Sequence, residues 1–146
     1  MMGAEPRRVV ALVERDPAFG TDRLASCLFD MGDGRQAVWT TSTQLAPAQR
    51  FTVLGTQGRI VVEIPCNAPP DHGNRIIVDD GRDLVGGGQE VIELPVCNQY
   101  RLQGDMFSRA VRGQGELAMT LADSLANMRV LDAIFAAERS GGWVAV

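Results

Sequence analysis

The residues Gln49-Arg50-Phe51-Thr52-Val53-Leu54-Gly55-Thr56-Gln57-Gly58-Arg59-Ile60-Val61-Val62-Glu63-Ile64-Pro65 leave the chain little freedom. Two runs of β-branched and aromatic side chains flank a Gly-Thr-Gln-Gly turn, and a proline closes the second run. Such side chains suit a pleated surface, and glycine supplies the backbone freedom a tight reversal needs. The stretch therefore predicts a hairpin, with strands over 50–54 and 59–64. Shorter runs repeat the pattern: Arg8 to Val13, Asp22 to Met31, Gln36 to Thr43, Arg75 to Val78 and Glu90 to Leu94. The connections between runs are about two to nine residues long, while a parallel crossover takes roughly a dozen or more. A mainly antiparallel sheet follows.

The last third changes period. Tyr100, Met106, Phe107, Ala110 and Val111 fall on one helical stripe behind Asn98, a suitable N-cap, and Gly113 ends the run. Thr120 and Asp123 have the spacing of a capping box ahead of Leu121, Leu125, Met128, Leu131 or Asp132, and Phe135. Gly141-Gly142 stops this second helix, and Trp143 to Val146 is read as a final strand. Strands followed by helices give an α+β fold: an open, mainly antiparallel sheet with helices on one face. Val9-Val10, Ile60-Val61-Val62 and Ile76-Ile77-Val78 put apolar groups on both sides of that sheet. Two helices cover only one side, so the other is expected to meet a subunit, giving a homodimer through sheet faces.

At 146 residues the chain fits one domain, 1–146, able to bury about 70% of its unfolded surface. A net charge of −4 and scattered arginines argue against nucleic acid, and no apolar run approaches the length of a membrane span. Met1-Met2 reads as a start set ahead of a domain boundary. Cys27, Cys66 and Cys97 are odd in number and widely spaced. They are expected to be buried or half-buried free thiols in a reducing cytoplasm. Cys66-Asn67 and Cys97-Asn98 each follow a proline-marked strand end. No metal site is expected, because His72 is the one histidine and zinc needs about four nitrogen or sulfur ligands.

Three segments together resemble one family. They are Phe19 to Met31 with Gln36 to Thr40, the hairpin quoted above, and Asp123 to Ile134 followed by Ser140-Gly141. In order and spacing they are similar to the C-terminal domain of the glucose-fructose oxidoreductase / inositol dehydrogenase / MocA (GFO/IDH/MocA) family. The resemblance implies a two-domain parent. An N-terminal Rossmann domain binds NAD or NADP, and an open-sheet C-terminal domain supplies substrate-cleft and subunit contacts. The family's catalytic lysine lies in a Glu-Lys-Pro motif, and this chain has no lysine. Its Asp/His acid–base pair precedes the first matching strand. His72, in the loop Pro69-Pro70-Asp71-His72-Gly73, does not match that pair and reads as a solvated residue. No catalytic, cofactor-binding or metal residue is therefore assigned, and the chain is expected to begin inside the second domain, without its Rossmann partner.

Two other glycine clusters carry no cofactor. Gly113-Gln114-Gly115-Glu116-Leu117-Ala118 has the letters of a dinucleotide fingerprint, but a helix precedes it where a strand is required. Gly86-Gly87-Gly88 lacks the lysine and hydroxyl of a phosphate loop. Asp79-Asp80 and Asp83 read as a solvated acidic turn. Trp39, Thr41 and Thr43 share one strand face and suit the lining of a sugar site; sheet packing or a subunit contact accounts for them more simply. The function expected is that of a C-terminal domain of an NAD(P)-dependent oxidoreductase acting on a sugar, cyclitol or related polyol. A stand-alone dimerisation or ligand-binding module is the alternative.

Overall fold

The computed structural model describes residues 4–146; Met1 and Met2, with the reading attached to them, lie outside the described residues. The strands are β1 (Arg8–Arg15), β2 (Asp22–Gly32), β3 (Arg35–Ser42), β4 (Phe51–Gly55), β5 (Gly58–Val62), β6 (Asn74–Asp79), β7 (Gln89–Leu94) and β8 (Val144–Ala145). The helices are α1 (Gln99–Val111) and α2 (Leu121–Ser140). Every strand pairing is antiparallel. The single sheet expected from sequence divides in two, with orders β3-β2-β1-β8 and β4-β5-β6-β7. Ser42 provides the physical reason. Its hydroxyl donates to the Arg23 carbonyl (2.6 Å) and accepts from the N–H groups of Gln44 and Leu45 (3.1 and 3.3 Å). Those amides are spent on a local turn, and Pro47 lacks one, so the ladder ends at β3. Two compact units result: the segment up to Ala46 with Ala118–Val146, and Pro47–Leu117.

The first unit holds the hydrophobic core. Register places Val9 opposite Phe29 and Ala11 opposite Cys27, so these four share a face of the sheet. With Met31 they pack on Ala133, Ile134 and Ala137 of α2. Alanines at two of the three contact positions let the helix axis approach the sheet closely. This corrects the expected stripe. Leu121, Leu125 and Met128 are exposed, whereas Leu131 of that stripe does pack on the core; the buried face of α2 runs through Val130, Leu131, Ala133, Ile134 and Ala137. Thr120 caps the helix as expected, its Oγ1 accepting from the Asp123 N–H while Asp123 accepts from the Thr120 N–H. Gly141 ends it at φ +68°, donating to the Ala137 carbonyl. Arg15 ties the far end of β1 to the helix: Nε donates to Glu138 Oε1 (2.7 Å) and Nη1 to the Gly20 carbonyl (2.9 Å).

The opposite face of this sheet carries an apolar row, half-buried on β1 and β2 and open on β3. Val10, Leu28 and Val38 lie side by side, Trp143 continues the row on the β8 side, and Val38 is 78% exposed.

In the second unit no hydrophobic residue is buried. Phe51, Val62, Ile76 and Ile92 form one cross-strand row, and Thr52, Val61, Ile77 and Val91 form the next, on the other face. Helix α1 is capped by Asn98, whose side chain accepts from the Arg101 N–H (3.1 Å), and it buries none of its residues. Both faces of this sheet are apolar, as the sequence predicted. Gly58 fixes the β4–β5 turn at φ +151°, with its Cα against the Asp79 carbonyl.

A Gly58→Ala variant should therefore lose about 2–4 kcal/mol, since its Cβ would overlap that carbonyl in a strained backbone region. Gly104→Ala, with open space around the new methyl, should gain up to about 1 kcal/mol. Urea melts of the two variants beside the parent chain check both.

Candidate functional site

The residues singled out for a sugar site lie on the edge strand of the first sheet. Trp39 stands opposite Cys27 and Thr41 opposite Ala25, so both share the face that α2 covers farther in. On β3 they escape that cover: Trp39 keeps 42% of its surface. Thr43 sits one residue past the strand, its N–H bonded to the Arg23 carbonyl (3.2 Å). The ring and two hydroxyls thus border the core without being sealed into it. Burial pushes the neighbouring Cys27 thiol up from its ordinary pKa, which keeps it protonated and inert. Cys66 and Cys97 are exposed, contrary to expectation, because each sits in a connection beyond a strand end where no layer lies over it.

Two grooves bear on a candidate site. In the first unit, a groove of about 420 Å³ is bordered by Arg7, Arg8, Asp30, Asp33, Arg35 and Trp143. Its charges are mutually occupied: Arg7 and Arg35 both reach Asp33 (3.1 Å each), while Arg8 reaches Asp30 (2.9 Å) and stacks over Trp143.

The larger groove, about 780 Å³, lies at one end of the β4–β7 sheet. Val53, Ile60 and Val78 form a cross-strand row beneath it, and the β4–β5 turn and the β6–β7 connection border it. Its organising group is Asp79, 2% exposed and the one buried charged residue among the described residues. The Gly81 N–H donates to Oδ1 (2.7 Å), and Arg59 Nη2 donates to Oδ2 (2.7 Å). The Gly81 amide above all, then Gln89 and Arg59, hold this carboxyl below the usual carboxylate range, against the opposing effect of burial.

The remaining acids of the turn are also engaged. Asp80 pairs with Arg82, and Asp83 Oδ1 accepts from the N–H groups of Val85 and Gly87. Sequence reading took this turn as solvated and missed the burial of Asp79. The signal it offered was positional, since the hairpin register sets Arg59 directly opposite Asp79. No group of three or more metal-binding side chains gathers among the described residues. His72 is exposed, with only Asp71 beside it at 3.5 Å. The Gly113–Ala118 segment follows α1 and adopts turns before the cap of α2, so it presents no strand-to-helix junction.

Residues 1–61 match the family model described as the GFO/IDH/MocA C-terminal domain. The whole chain is 39% identical to a Rhizobium meliloti protein described as an uncharacterized oxidoreductase, ORF334, of which it covers 44%. Residues 1–61 thus carry the likeness to the GFO/IDH/MocA C-terminal domain. Solved structures agree on the fold. Aldose-aldose oxidoreductase from Caulobacter crescentus, complexed with glycerol, superposes with TM-score 0.78 at 22% identity, over 99% of this chain and 42% of that one. KijD10, a 3-ketoreductase from Actinomadura kijaniata in complex with TDP-benzene and NADP, gives 0.78 at 18%, over 92% and 41%. The chain therefore spans under half the length of the relatives it matches. The match to the family model takes in β1 to β4 and all of β5 but Val62.

Asp79 makes a testable contribution to acid stability. Its folded pKa lies below the unfolded value, so its ionised form stabilises the fold above about pH 4, and that contribution is lost as pH falls through the lowered pKa. Asp79→Asn should be less stable than the parent at pH 7 and should take up about one proton fewer on unfolding in acid. Chemical denaturation at a series of pH values between 2 and 7 measures the difference in slope.

Proposed function

We propose that this chain is the C-terminal, substrate-side domain of an NAD(P)-dependent oxidoreductase acting on a sugar, cyclitol or related polyol. The observation that carries the reading is the 39% identity, running through the entire chain, to less than half of a protein described as an oxidoreductase. The printed names of similar structures, an aldose-aldose oxidoreductase and a 3-ketoreductase with NADP, favour carbohydrate chemistry with a nicotinamide cofactor. On this reading a Rossmann domain of the parent binds NAD or NADP and supplies the catalytic residues. The residues of this chain position the substrate and the subunits. Trp39, Thr41 and Thr43 border the substrate cleft, the ring offering an apolar platform for a sugar face and the hydroxyls hydrogen-bonding its OH groups.

The second role is self-association. Both faces of the β4–β7 sheet and the Val10–Leu28–Val38 row carry apolar side chains that are half-buried or exposed, and a second copy is the proposed cover. Burying such rows is worth roughly 25 cal/mol per Å² of apolar surface, so leaving them wet would forfeit most of what the strands' composition offers.

Two measurements test these roles. Titration of the chain with NADH and NADPH should give no saturable micromolar binding; saturation would move the cofactor site onto this domain. Light scattering should give a dimer. Register puts Val62 and Ile77 on opposite faces, so Val62→Asp and Ile77→Asp probe the two sides separately. At least one should separate the copies, and a monomeric parent chain at high concentration would end the dimer reading.

A further inference from the structure

Cys66 and Cys97 leave the second sheet at the same end. Asn74, at the head of β6, holds Ile64 by both backbone groups: its Oδ1 accepts from the Ile64 N–H (3.2 Å) and its Nδ2 donates to the Ile64 carbonyl (2.7 Å). The register sets the same Asn74 opposite Leu94. Ile64 and Leu94 therefore flank one residue, about 10 Å apart, or two strand spacings. Because β5 and β7 both run antiparallel to β6, the chain passes these two points in the same direction. Pro65 and Pro95, each without an amide, then keep it from rejoining the ladder, and a cysteine follows each within two residues.

Both thiols are exposed. The Cys66 connection is held in place, since the N–H groups of Cys66 and Asn67 donate to Gln49 Oε1 (3.2 and 3.0 Å). Tyr100 bridges the two connections. Side chains on a helix tilt toward its N-terminus, so the phenol of Tyr100, in the first turn of α1, reaches back toward the Cys97 end and donates to Asn67 Oδ1 (3.5 Å). That acceptor belongs to the immediate neighbour of Cys66.

We infer that Cys66 and Cys97 form a reversible disulfide that pins α1 to the β5–β6 connection. A disulfide needs its Cα atoms within about 7 Å, so two exposed connections must close by a few ångströms. The helix has the most to gain, because α1 buries none of its residues. Closing the ring from 66 to 97 restricts the unfolded chain and anchors an element that packing leaves loose. The chemistry is thiol–disulfide exchange with a low-molecular-weight disulfide such as oxidised glutathione. One thiolate attacks a glutathione sulfur and expels a reduced glutathione; the other thiolate then attacks the mixed disulfide and expels the second. The cysteine pair gives up two electrons and two protons, and oxidised glutathione takes up both. Cys27, buried and protonated, takes no part. A metal suits the pair less well, because zinc takes about four ligands and no group of three metal-binding side chains gathers among the described residues.

The full chain, equilibrated with oxidised and reduced glutathione at a series of ratios, is quenched in acid, alkylated and mapped by mass spectrometry. The expected product is a single chain with residues 66 and 97 joined, and dithiothreitol should restore both thiols. Amide hydrogen exchange across residues 99–111 should slow about tenfold or more in the oxidised parent. Cys66→Ser and Cys97→Ser change exposed positions, so the fold is retained, as circular dichroism would verify. Each variant should instead carry one glutathione, with exchange in α1 unchanged by oxidation. A parent whose thiols stay free, that takes two separate glutathiones, or that links to another chain overturns the inference. So does an internal bond that leaves exchange in α1 unchanged.

Discussion

The antiparallel register of β1 against β2 is the constraint on which the first unit depends. Shifting that pairing by one residue would carry Val9 and Ala11 to the outer face and bring Arg8 and Val10 beneath α2. The core is small, and most of its helix side is alanine, so it tolerates no such exchange. The helix contributes shape more than volume. Ala133 and Ala137 allow the close approach, while Ile134 supplies the large apolar group that fills it. Arg15, held by Glu138 and the Gly20 carbonyl, fixes the end of the pairing where the register breaks between Glu14 and Arg15.

The second unit answers to a different constraint. It has well-formed ladders and a buried carboxylate held by a half-exposed arginine, but no closed apolar interior. Its order comes from hydrogen bonds and glycine-permitted close approaches, with Asp79 joining β5, β6 and the start of the connection to β7. Other protein surface laid on such an element would add to its stability. This is the physical basis of the proposed assembly.

Much of this was legible in the chain. The hairpin turn at Gly55–Gly58, the Asn98 cap, the Thr120–Asp123 capping box and the Gly141 stop are local chemistry, and each was read from a few neighbouring residues. The features that were missed are long-range. Ser42 ends the ladder through the carbonyl of Arg23, and no neighbour of Ser42 announces that bond. The buried stripe of α2 was assigned to its largest apolar residues; of these Leu131 packs on the core, whereas Ala133, Ile134 and Ala137 form its most buried contacts. Asp79 looked like a solvated turn residue because its burial comes from Arg59 and Gln89, distant in sequence. Trp39 and Thr41 could be placed on one face by alternation, but that the face is left open at the sheet edge is a property of the neighbouring layer.

The short strand β8 deserves a last consideration. Val144 and Ala145 pair with Val9 and Arg8, and the Val146 amide donates to the Arg7 carbonyl (3.1 Å). Residues 144–146 thus cover the Arg8–Val9 end of β1, whose amides and carbonyls there would otherwise offer a template to any extended peptide. The segment works as a selvedge over that end. Removing it would take away almost no mass, yet would turn a finished margin into one that invites edge-to-edge pairing.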